Sequence, residues 1–302
     1  MAPSPALLTQ AFNTEPWVIL SPIERSIKQK IEAIGTPLKD WKINIYRGIT
    51  TGFNDAFIID GTKKNELITA DPKSAEIIRP ILRGRDIKRY AYEFADLYLV
   101  TTFPSLNIDI EKFPAVKAHL LSFGYNRLKQ TGDKNARKKT NNQWFETQDS
   151  ISYWEDFYKQ KIVYPDLMRL PQDENVLDDH PRFYYDNDNS FFLCNDIYFI
   201  TGDDLDLIYL FLASDIGFYV YSKFYMGLLF DSTGFRYNKA YMDGLFVPRF
   251  DEQISEQLRT MTPNVKDNMV VIEKLIEDFI RLNEVEKERI RAYKKHLLSI
   301  DR

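Results

Sequence analysis

The sequence predicts an α+β protein in which a mixed β-sheet packs against helices and a long C-terminal helix follows. Two observations lead to this class. Short alternating or continuous apolar runs, bounded by Gly, Pro, Asn and Asp, recur along most of the chain and are interspersed with helical patterns. The C-terminal segment instead carries apolar residues at heptad spacing. We therefore divide the 302 residues into a domain of residues 1–250 and a helical segment of residues 251–302.

The first elements are a helix and two strands. Residues 22–34 carry isoleucines at helical intervals after Ser21, which is a suitable N-cap. Residues 41–45 alternate between apolar and polar and predict a half-buried strand. Residues 56–59 are typical of a second strand. The intervening stretch GITTGFND is therefore expected to join neighbouring strands.

The middle of the chain continues this pattern. Asp71 is expected to cap a short helix that has Pro72 at its first position and ends at Pro80. Further strands are predicted at 96–102, 161–165, 182–185 and 191–200, and a buried helix at 203–223.

The C-terminal segment carries one apolar seam. Apolar residues recur at steps of three and four from Val265 to Leu297, interrupted by polar Asn283 and Glu286. One continuous helix over this range would be about 50 Å long at 1.5 Å per residue. A single helix cannot bury an apolar stripe alone. The segment is therefore either a spacer or interaction helix that packs on a partner, or a helix folded back on its own domain.

The composition is that of a globular protein, with 44% apolar and 28% charged residues. The single cysteine, Cys194, allows no intrachain disulfide, which fits a reducing cytosol. The N-terminal residues lack the basic and apolar regions of a secretory signal. Asp206, Asp215 and Lys223 interrupt the longest apolar stretch, which favours core elements over a membrane span. We expect a cytoplasmic protein with no membrane contact.

Charge is unevenly distributed along the chain, although the net charge is only −4. Residues 79–142 carry 13 Lys/Arg and 6 Asp/Glu, whereas residues 166–206 carry 2 Lys/Arg and 11 Asp/Glu. If the fold keeps these segments apart, it creates one basic and one acidic face, and the basic face slightly favours a polyanionic partner.

Motifs for catalysis or metal binding are not found. GITTGFND lacks the lysine that a P-loop requires, and strands rather than a helix N-terminus flank it. Pro165-Asp166 is not followed by the (D/E)-x-K pattern of metal-dependent nucleases, and no Asn/Asp-Pro-Pro-aromatic stretch of an amino-methyltransferase occurs. Cys194 and the histidines lack zinc-ligand spacing. Residues 186–190 begin like a calcium loop, but Phe191 stands where that loop needs glycine.

Four segments carry residue types suited to DNA phosphates or base edges. The candidates are Thr50, Thr51 and Asn54 of GITTGFND; Arg83, Arg85, Lys88 and Arg89 of LRGRDIKRY; Arg127, Lys129, Arg137, Lys138, Lys139 and Trp144 of residues 126–145; and Arg236 and Lys239 of STGFRYNK.

The stretch 126–145 holds six cations and one acid, and its Gly, Asn, Thr and Gln residues predict a mobile loop. The alternative interpretation of this stretch is a solvated charge run. For LRGRDIKRY the alternative is that its arginines pair with local acids such as Asp86.

Several blocks together resemble a known family. The blocks INIYRGITTGFNDAFIID, DPKSAEIIRPILRGRDIKRY, Trp144-Phe145, YKQKIVYP and TGFRYNKAYMDGLFVP follow one another in this order. In this series the sequence resembles the TaqI-like C-terminal specificity domain, the target-recognition domain of type IIG restriction–modification enzymes and N6-adenine DNA methyltransferases. The resemblance extends from about Trp17 to Pro248. The sequence departs from the family pattern at Ala213-Ser214-Asp215, where an Asn-Ser pair is usual.

The resemblance implies that residues 1–250 are a non-catalytic reader of double-stranded DNA. In this family a separate domain binds S-adenosylmethionine and methylates DNA, often beside a nuclease domain. S-adenosylmethionine and Mg²⁺ are therefore expected only in a partner methyltransferase/endonuclease domain or subunit. Residues 251–302 would join the module to that partner or mediate self-association.

Two other function classes stay open. One is a protein–protein scaffold that uses the C-terminal heptad helix, and the other is an enzyme with an unrecognised site.

Overall fold

A computed structural model of the chain describes residues 20–169, 180–188, 191–226 and 234–300, with side chains for all of these except 294–296 and 298–300. The α+β class is confirmed. The α-helices are α1 (Pro22–Ile34), α2 (Asn54–Phe57), α3 (Gly61–Ala70), α4 (Pro114–Leu121), α5 (Tyr125–Leu128), α6 (Leu205–Ala213), α7 (Asp215–Val220), α8 (Lys239–Met242), α9 (Glu252–Met261), α10 (Val265–Ile280) and α11 (Glu284–Ile300).

Within the described ranges the strands form two four-stranded and two two-stranded sheets. They are β1 (Gly35–Pro37), β2 (Ile43–Arg47), β3 (Ile58–Asp60), β4 (Ile78–Leu82), β5 (Leu97–Val100), β6 (Lys161–Pro165), β7 (Leu167–Arg169), β8 (Tyr184–Asp186), β9 (Phe192–Leu193), β10 (Ile197–Gly202), β11 (Gly234–Arg236) and β12 (Phe246–Pro248). One large sheet has the order β2-β10-β6-β8 and is antiparallel. The other, β3-β5-β4-β9, is mixed because β4 and β9 run parallel. The small sheets pair β1 with β12 and β7 with β11.

The sheet β2-β10-β6-β8 separates two apolar cores. Ile45, Ile162 and Ile200 lie in the first core, whereas Val163 and Phe199 lie in the second. This division follows from the alternation of side chains along a strand. Helices α1, α6, α7 and α9–α11 complete the first core, and sheet β3-β5-β4-β9 with α2–α5 completes the second. The division at residue 250 stays a prediction, although α9–α11 share a core with α1.

Several predicted elements agree with the structure. Helix α1 spans the predicted residues, and Ser21 and Glu24 form a reciprocal capping box at its start. Strand β6 has the predicted bounds, and β2 lies where alternation predicted a strand. Strands β5, β8, β9 and β10 lie within or next to their predicted ranges.

The strand predicted at 56–59 is partly wrong. The chain forms the short helix α2 first, and only Ile58–Asp60 pair as a strand. Ala56 and Phe57 are both fully buried, and a helical turn permits consecutive buried residues whereas a half-exposed strand does not. Strands β2 and β3 also lie in different sheets, so GITTGFND does not join neighbouring strands.

Two other predicted helices have different ends. The helix capped by Asp71 is a 3-10 helix that ends at Ile77, and Pro80 lies within strand β4. The helix predicted at 203–223 is broken at Ser214, whose hydroxyl caps α7 by accepting from the Gly217 N–H (2.9 Å).

The single C-terminal rod is wrong, and the folded-back alternative is right. Arg281 adopts a left-handed conformation that ends α10, and Asn283 with Glu286 forms a capping box that starts α11. The polar residues that interrupt the heptad seam are therefore the signal for the break. Both helices bury apolar residues in the first core, among them Ile276 and Ile290.

No single helix in the described parts of the chain is long and apolar enough to cross a membrane. Helix α6 and the helical segment Asp215–Tyr225, which begins with α7, together satisfy length and composition, but they are bent by 74° at the break between them.

Glu24 joins three elements at one buried position. Its carboxylate lies 2.7 Å from an Arg289 nitrogen and 3.0 Å from the Lys223 ammonium, and it accepts from the Ser21 N–H at 2.8 Å. Burial raises the pKa of Glu24, but these hydrogen bonds and charges outweigh it and lower the pKa to about 2. Its stabilising contribution is therefore present above the ordinary pKa of 4.5 and is lost as pH falls toward 2.

We expect Glu24→Gln to reduce the free energy of unfolding by roughly 2–3 kcal/mol at pH 6. The reduction should shrink at pH 2.5, because the Glu24 carboxyl of the unfolded chain, with its ordinary pKa of 4.5, is then protonated and folding must release that proton. Urea unfolding at both pH values measures this, with the exposed Glu76→Gln as control. A difference between wild type and Glu24→Gln that is the same at both pH values would contradict the assignment.

Candidate nucleic-acid interface

The peptide between Leu193 and Cys194 is hydrogen bonded on both sides. The Ile49 N–H donates to the Leu193 carbonyl (2.8 Å), and the Cys194 N–H donates to the Leu82 carbonyl (2.9 Å). The N–H and C=O of a trans peptide point in opposite directions. Ile49 and Leu82 therefore lie on opposite sides of β9 and its continuation.

Both neighbours run parallel to this central strand. Leu82 pairs with Leu193, and Ile49 pairs with Cys194 in a parallel bridge. Parallel strands end at the same edge, so the segments after Ile49 and Leu82 emerge side by side, about 10 Å apart at two strand spacings. We call this edge the strand-end surface and define it by residues 50–54, 83–86 and 195–196.

Backbone geometry explains the two glycines of GITTGFND. A Cβ on Gly48 would lie 2.0 Å from the Cys194 carbonyl oxygen, so only glycine fits beside the central strand. Gly52 has a φ of +78°, in the left-handed region that favours glycine. The glycines thus serve a close approach and a turn.

The STGFRYNK segment reaches the strand-end surface through Asp166. The Asp166 N–H donates to the Asp196 carbonyl (2.8 Å), and the Asp166 carbonyl accepts from the Tyr237 N–H (2.7 Å). The Arg236 guanidinium lies 3.8 Å from the Asp166 carboxylate. Residues 232–233 of this segment lie outside the described residues.

Arg137 fastens the basic loop, residues 126–145, to the strand-end surface. Its side chain is 1% exposed. Its guanidinium donates four hydrogen bonds of 2.7–2.9 Å to backbone carbonyls, those of Thr51, Leu128, Trp144 and Glu146. Burial lowers the pKa of Arg137 to about 10. The planar fork of arginine suits this role because it carries five donors.

This arrangement corrects two sequence predictions. Arg137 does not offer its charge to a phosphate, because its guanidinium is enclosed by the loop that it holds. Thr51 is 1% exposed, and its hydroxyl donates to Asn54 Oδ1 (2.7 Å) and accepts from the Phe53 N–H (3.1 Å). The Thr51 side chain therefore stabilises the turn, and the loop predicted to be mobile is tied to it by hydrogen bonds.

The remaining cations of the basic loop reach solvent, the most exposed being Lys134, Lys138 and Lys139. The half-buried Arg127 lies 4.0 Å from the Phe53 ring centroid, and the Lys129 ammonium lies 5.6 Å from the Tyr125 ring centroid. None of these five cations forms an ion pair with a carboxylate that the structure describes.

Three further predicted residues lie beside this loop. Trp144 is half-buried and makes edge contacts with Tyr125 (5.9 Å) and Phe145 (5.6 Å). Thr50 is half-buried and Asn54 is exposed. Trp144, Thr50 and Asn54 stay candidates for contact with DNA.

Two arginines of LRGRDIKRY pair with internal acids. Arg83 donates from Nε and Nη2 to the Asp86 carboxylate, at 2.9 and 2.7 Å. Arg89 has an 8% exposed side chain, lies 3.1 Å from the Asp215 carboxylate and donates to the Ala213 carbonyl at the α6–α7 junction. The Arg89 side chain is thus largely enclosed against helices and paired with an acid, and its contact with DNA stays a prediction. For Arg83 the alternative of a local pair with Asp86 is confirmed.

The other two cations of this segment differ from each other. Lys88 lies 3.3 Å from the Glu93 carboxylate, so part of its charge is compensated. Arg85 is exposed and has no ion pair with a described carboxylate. Arg85 is thus the cation of LRGRDIKRY best placed to meet a polyanion.

Lys239 is exposed and forms an ion pair with Asp243 (2.6 Å) one turn along α8. Arg236 retains 38% exposure of its side chain beside Asp166. Both stay candidates, although an acid accompanies each of them.

The predicted separation of a basic and an acidic face does not hold at this surface. Asp196 accepts from the Gly84 N–H (3.0 Å), and Asp166 accompanies Arg236. Two carboxylates of the acidic segment therefore lie at or beside this surface, one of them next to Arg236.

Within the described ranges no group of three or more His, Cys, Asp and Glu side chains is arranged to hold a metal ion. Asp186, at the start of the calcium-like stretch, is fully buried in an ion pair with Lys161 (2.6 Å). Residues 189–190 of that stretch lie outside the described residues.

Sequence reasoning missed Arg47 and the Asn195-Asp196 turn. Arg47 is exposed at the end of β2, and its Nε donates to the Asn195 carbonyl (2.7 Å). The only sequence signal for Arg47 is its position directly before Gly48. The role of this position becomes visible only from the pairing of β2 with β10, which joins residues far apart in the chain.

The described fold is similar to parts of two solved restriction enzymes. The type IIG restriction endonuclease BpuSI aligns with 85% of this chain and 32% of its own, at 15% identity and a TM-score of 0.50. The type IIL restriction–modification enzyme MmeI, solved in complex with DNA, aligns with 87% of this chain and 36% of its own, at 14% identity and a TM-score of 0.55. The chain thus spans about a third of the length of these enzymes. Neither a protein-family model nor a curated protein matches the sequence.

We expect Arg137→Ala to lower the free energy of unfolding by roughly 3 kcal/mol or more, because it removes a buried side chain and its four hydrogen bonds to backbone carbonyls. Urea unfolding measures this. The neighbouring Lys138→Ala is the matched control and should change stability by about 0.5 kcal/mol or less, because Lys138 is exposed. Equal stabilities of the two variants would contradict the role of Arg137.

Proposed function

We propose that this chain is a sequence-specific DNA recognition module of a restriction–modification system. It directs a methyltransferase/endonuclease to its target and is not itself catalytic. The observation that carries this proposal is that a loop with five exposed or half-buried cations is fixed, through buried Arg137, to the strand-end surface, where Arg85 and Asn54 also lie and which Arg236 adjoins through Asp166.

The arrangement supports a division of labour between phosphates and bases. Lys134, Lys138 and Lys139 have no carboxylate partner within the described chain, so their charge is available to neutralise phosphates. Arg236 and Asn54 sit on a strand and a short helix that hydrogen bonds hold in place. Rigid elements suit the reading of base edges, which demands exact donor and acceptor positions.

The similarity to MmeI supports DNA as the partner, because that enzyme was solved in complex with DNA. BpuSI and MmeI are about three times as long as the aligned region. In our proposal the catalytic chemistry, with S-adenosylmethionine and Mg²⁺, belongs to a partner domain or subunit that this chain does not include.

The scaffold alternative loses its main support. It depends on an apolar heptad seam that is free to bind a partner helix. Ile272, Ile276 and Ile290 of that seam are instead buried in the first core.

We expect Lys138→Ala/Lys139→Ala to weaken binding to duplex DNA and to flatten its salt dependence. Loss of two phosphate contacts should reduce the slope of log affinity against log salt by about 1.8. Fluorescence anisotropy with a labelled duplex measures this at about 50 to 200 mM salt, a range in which phosphate contacts make the affinity strongly salt-dependent.

The matched control is Lys266→Ala/Lys274→Ala, which removes two exposed lysines from α10 and should bind like wild type. Equal salt slopes for both double variants would remove the basic loop from the interface. A wild-type chain that does not bind duplex DNA at low salt would overturn the proposed function.

A further inference from the structure

Arg47 is held rigidly at the end of β2. It lies opposite Tyr198 of β10, so the two side chains share a sheet face. The Tyr153 hydroxyl donates to the Arg47 carbonyl (2.8 Å), and the next N–H, of Gly48, donates to the Ile197 carbonyl (2.8 Å). The Arg47 backbone is therefore fixed by a strand and by a tyrosine.

The guanidinium of Arg47 is also oriented by the protein. Its Nε donates to the Asn195 carbonyl at 2.7 Å, and its Cζ lies 6.0 Å from the Tyr198 ring centroid. The side chain is nevertheless exposed, and neither Nη1 nor Nη2 donates to a residue that the structure describes. One end of the guanidinium is thus anchored while the two Nη groups remain available at the other end.

Such a fork matches one base in particular. Guanine presents O6 and N7 as neighbouring acceptors in the major groove, and an arginine fork donates to both. A phosphate also accepts two hydrogen bonds from an arginine fork, but such a contact supplies charge without reading sequence. The exposed lysines of the basic loop already provide charge of that kind.

Arg47 differs in this respect from the other arginines of the surface. The Arg236 guanidinium lies near the Asp166 carboxylate, which competes for its donors. Arg85 is exposed, but no described residue anchors its Nε. Arg47 combines an anchored Nε with unoccupied Nη groups.

The position of Arg47 also fits a base rather than the periphery of the interface. Three residues of extended chain, about 10 Å, separate it from Thr50. The Thr50 carbonyl accepts from the Asp149 N–H (3.2 Å), and the Thr51 carbonyl accepts from Arg137. Arg47 therefore lies about 10 Å along the chain from the segment to which Arg137 ties the basic loop.

We propose that Arg47 reads a guanine of the recognition sequence in the major groove, by donating from Nη1 and Nη2 to O6 and N7. This inference rests on the proposed function of the chain as a DNA recognition module. It adds one residue to that function and assigns it one base.

The test uses the full chain as wild type, Arg47→Ala, Arg47→Lys and the control Arg25→Ala, which removes an exposed arginine from α1. A random-sequence duplex library selects the preferred site of the wild type. Anisotropy then gives the affinity of each variant for that site and for duplexes in which each G·C pair is replaced by A·T. Thermal unfolding followed by circular dichroism establishes that each variant is folded.

We expect Arg47→Ala and Arg47→Lys to lose discrimination at one G·C pair, by roughly 5- to 150-fold, with the other positions unchanged. Arg47→Lys keeps the charge but lacks the fork, so it should retain affinity for unrelated duplex DNA. Arg25→Ala should behave like wild type.

Retention of full discrimination at every G·C pair by folded Arg47→Ala would overturn the inference and leave the proposed function standing. A selected site without a G·C pair would do the same. If the wild type selects no sequence at all, the proposed function fails and the inference fails with it.

Discussion

The candidate interface depends on one peptide unit, between Leu193 and Cys194, that accepts a hydrogen bond from Ile49 and donates one to Leu82. Because the two groups of a trans peptide point in opposite directions, this unit places two distant segments on either side of one strand. Both segments run parallel to it and leave at the same edge. Gly48 belongs to the same constraint, since a side chain there would meet the Cys194 carbonyl.

A second constraint determines which cations are buried within the fold and which stay exposed to solvent. A buried guanidinium needs acceptors for its donors, and the fold gives Arg137 four backbone carbonyls instead of a carboxylate. Lys134, Lys138 and Lys139 lie on either side of Arg137 within the loop. They are consequently held near the strand-end surface, and no described carboxylate pairs with them. Arg83 and Arg89 are used differently, in pairs with internal acids that stabilise the fold. Cations close together in sequence thus differ in their surroundings, since some are buried in the fold and others stay exposed.

Local patterns in the sequence predicted much of the fold. They gave little indication of which cations are buried in the fold and which stay exposed. Helix α1 and strand β6 were predictable because spacing, capping and alternation are read within a few residues. The break before α11 was predictable in principle from Asn283 and Glu286, which form a capping box. Arg137 resembles its lysine neighbours in sequence, and only contacts with carbonyls up to 86 residues away bury it. Arg47 was missed for the same reason, because its anchor comes from Asn195.

The central claim is that three segments far apart in the sequence form one surface for DNA. Hydrogen–deuterium exchange of the chain, with and without excess duplex DNA at low salt, tests it most directly. The account predicts slower exchange on DNA binding in residues 50–54, 83–86 and 126–145 together, with α10 and α11 unchanged. Protection confined to a single one of these segments, or centred on α10 and α11, would contradict it.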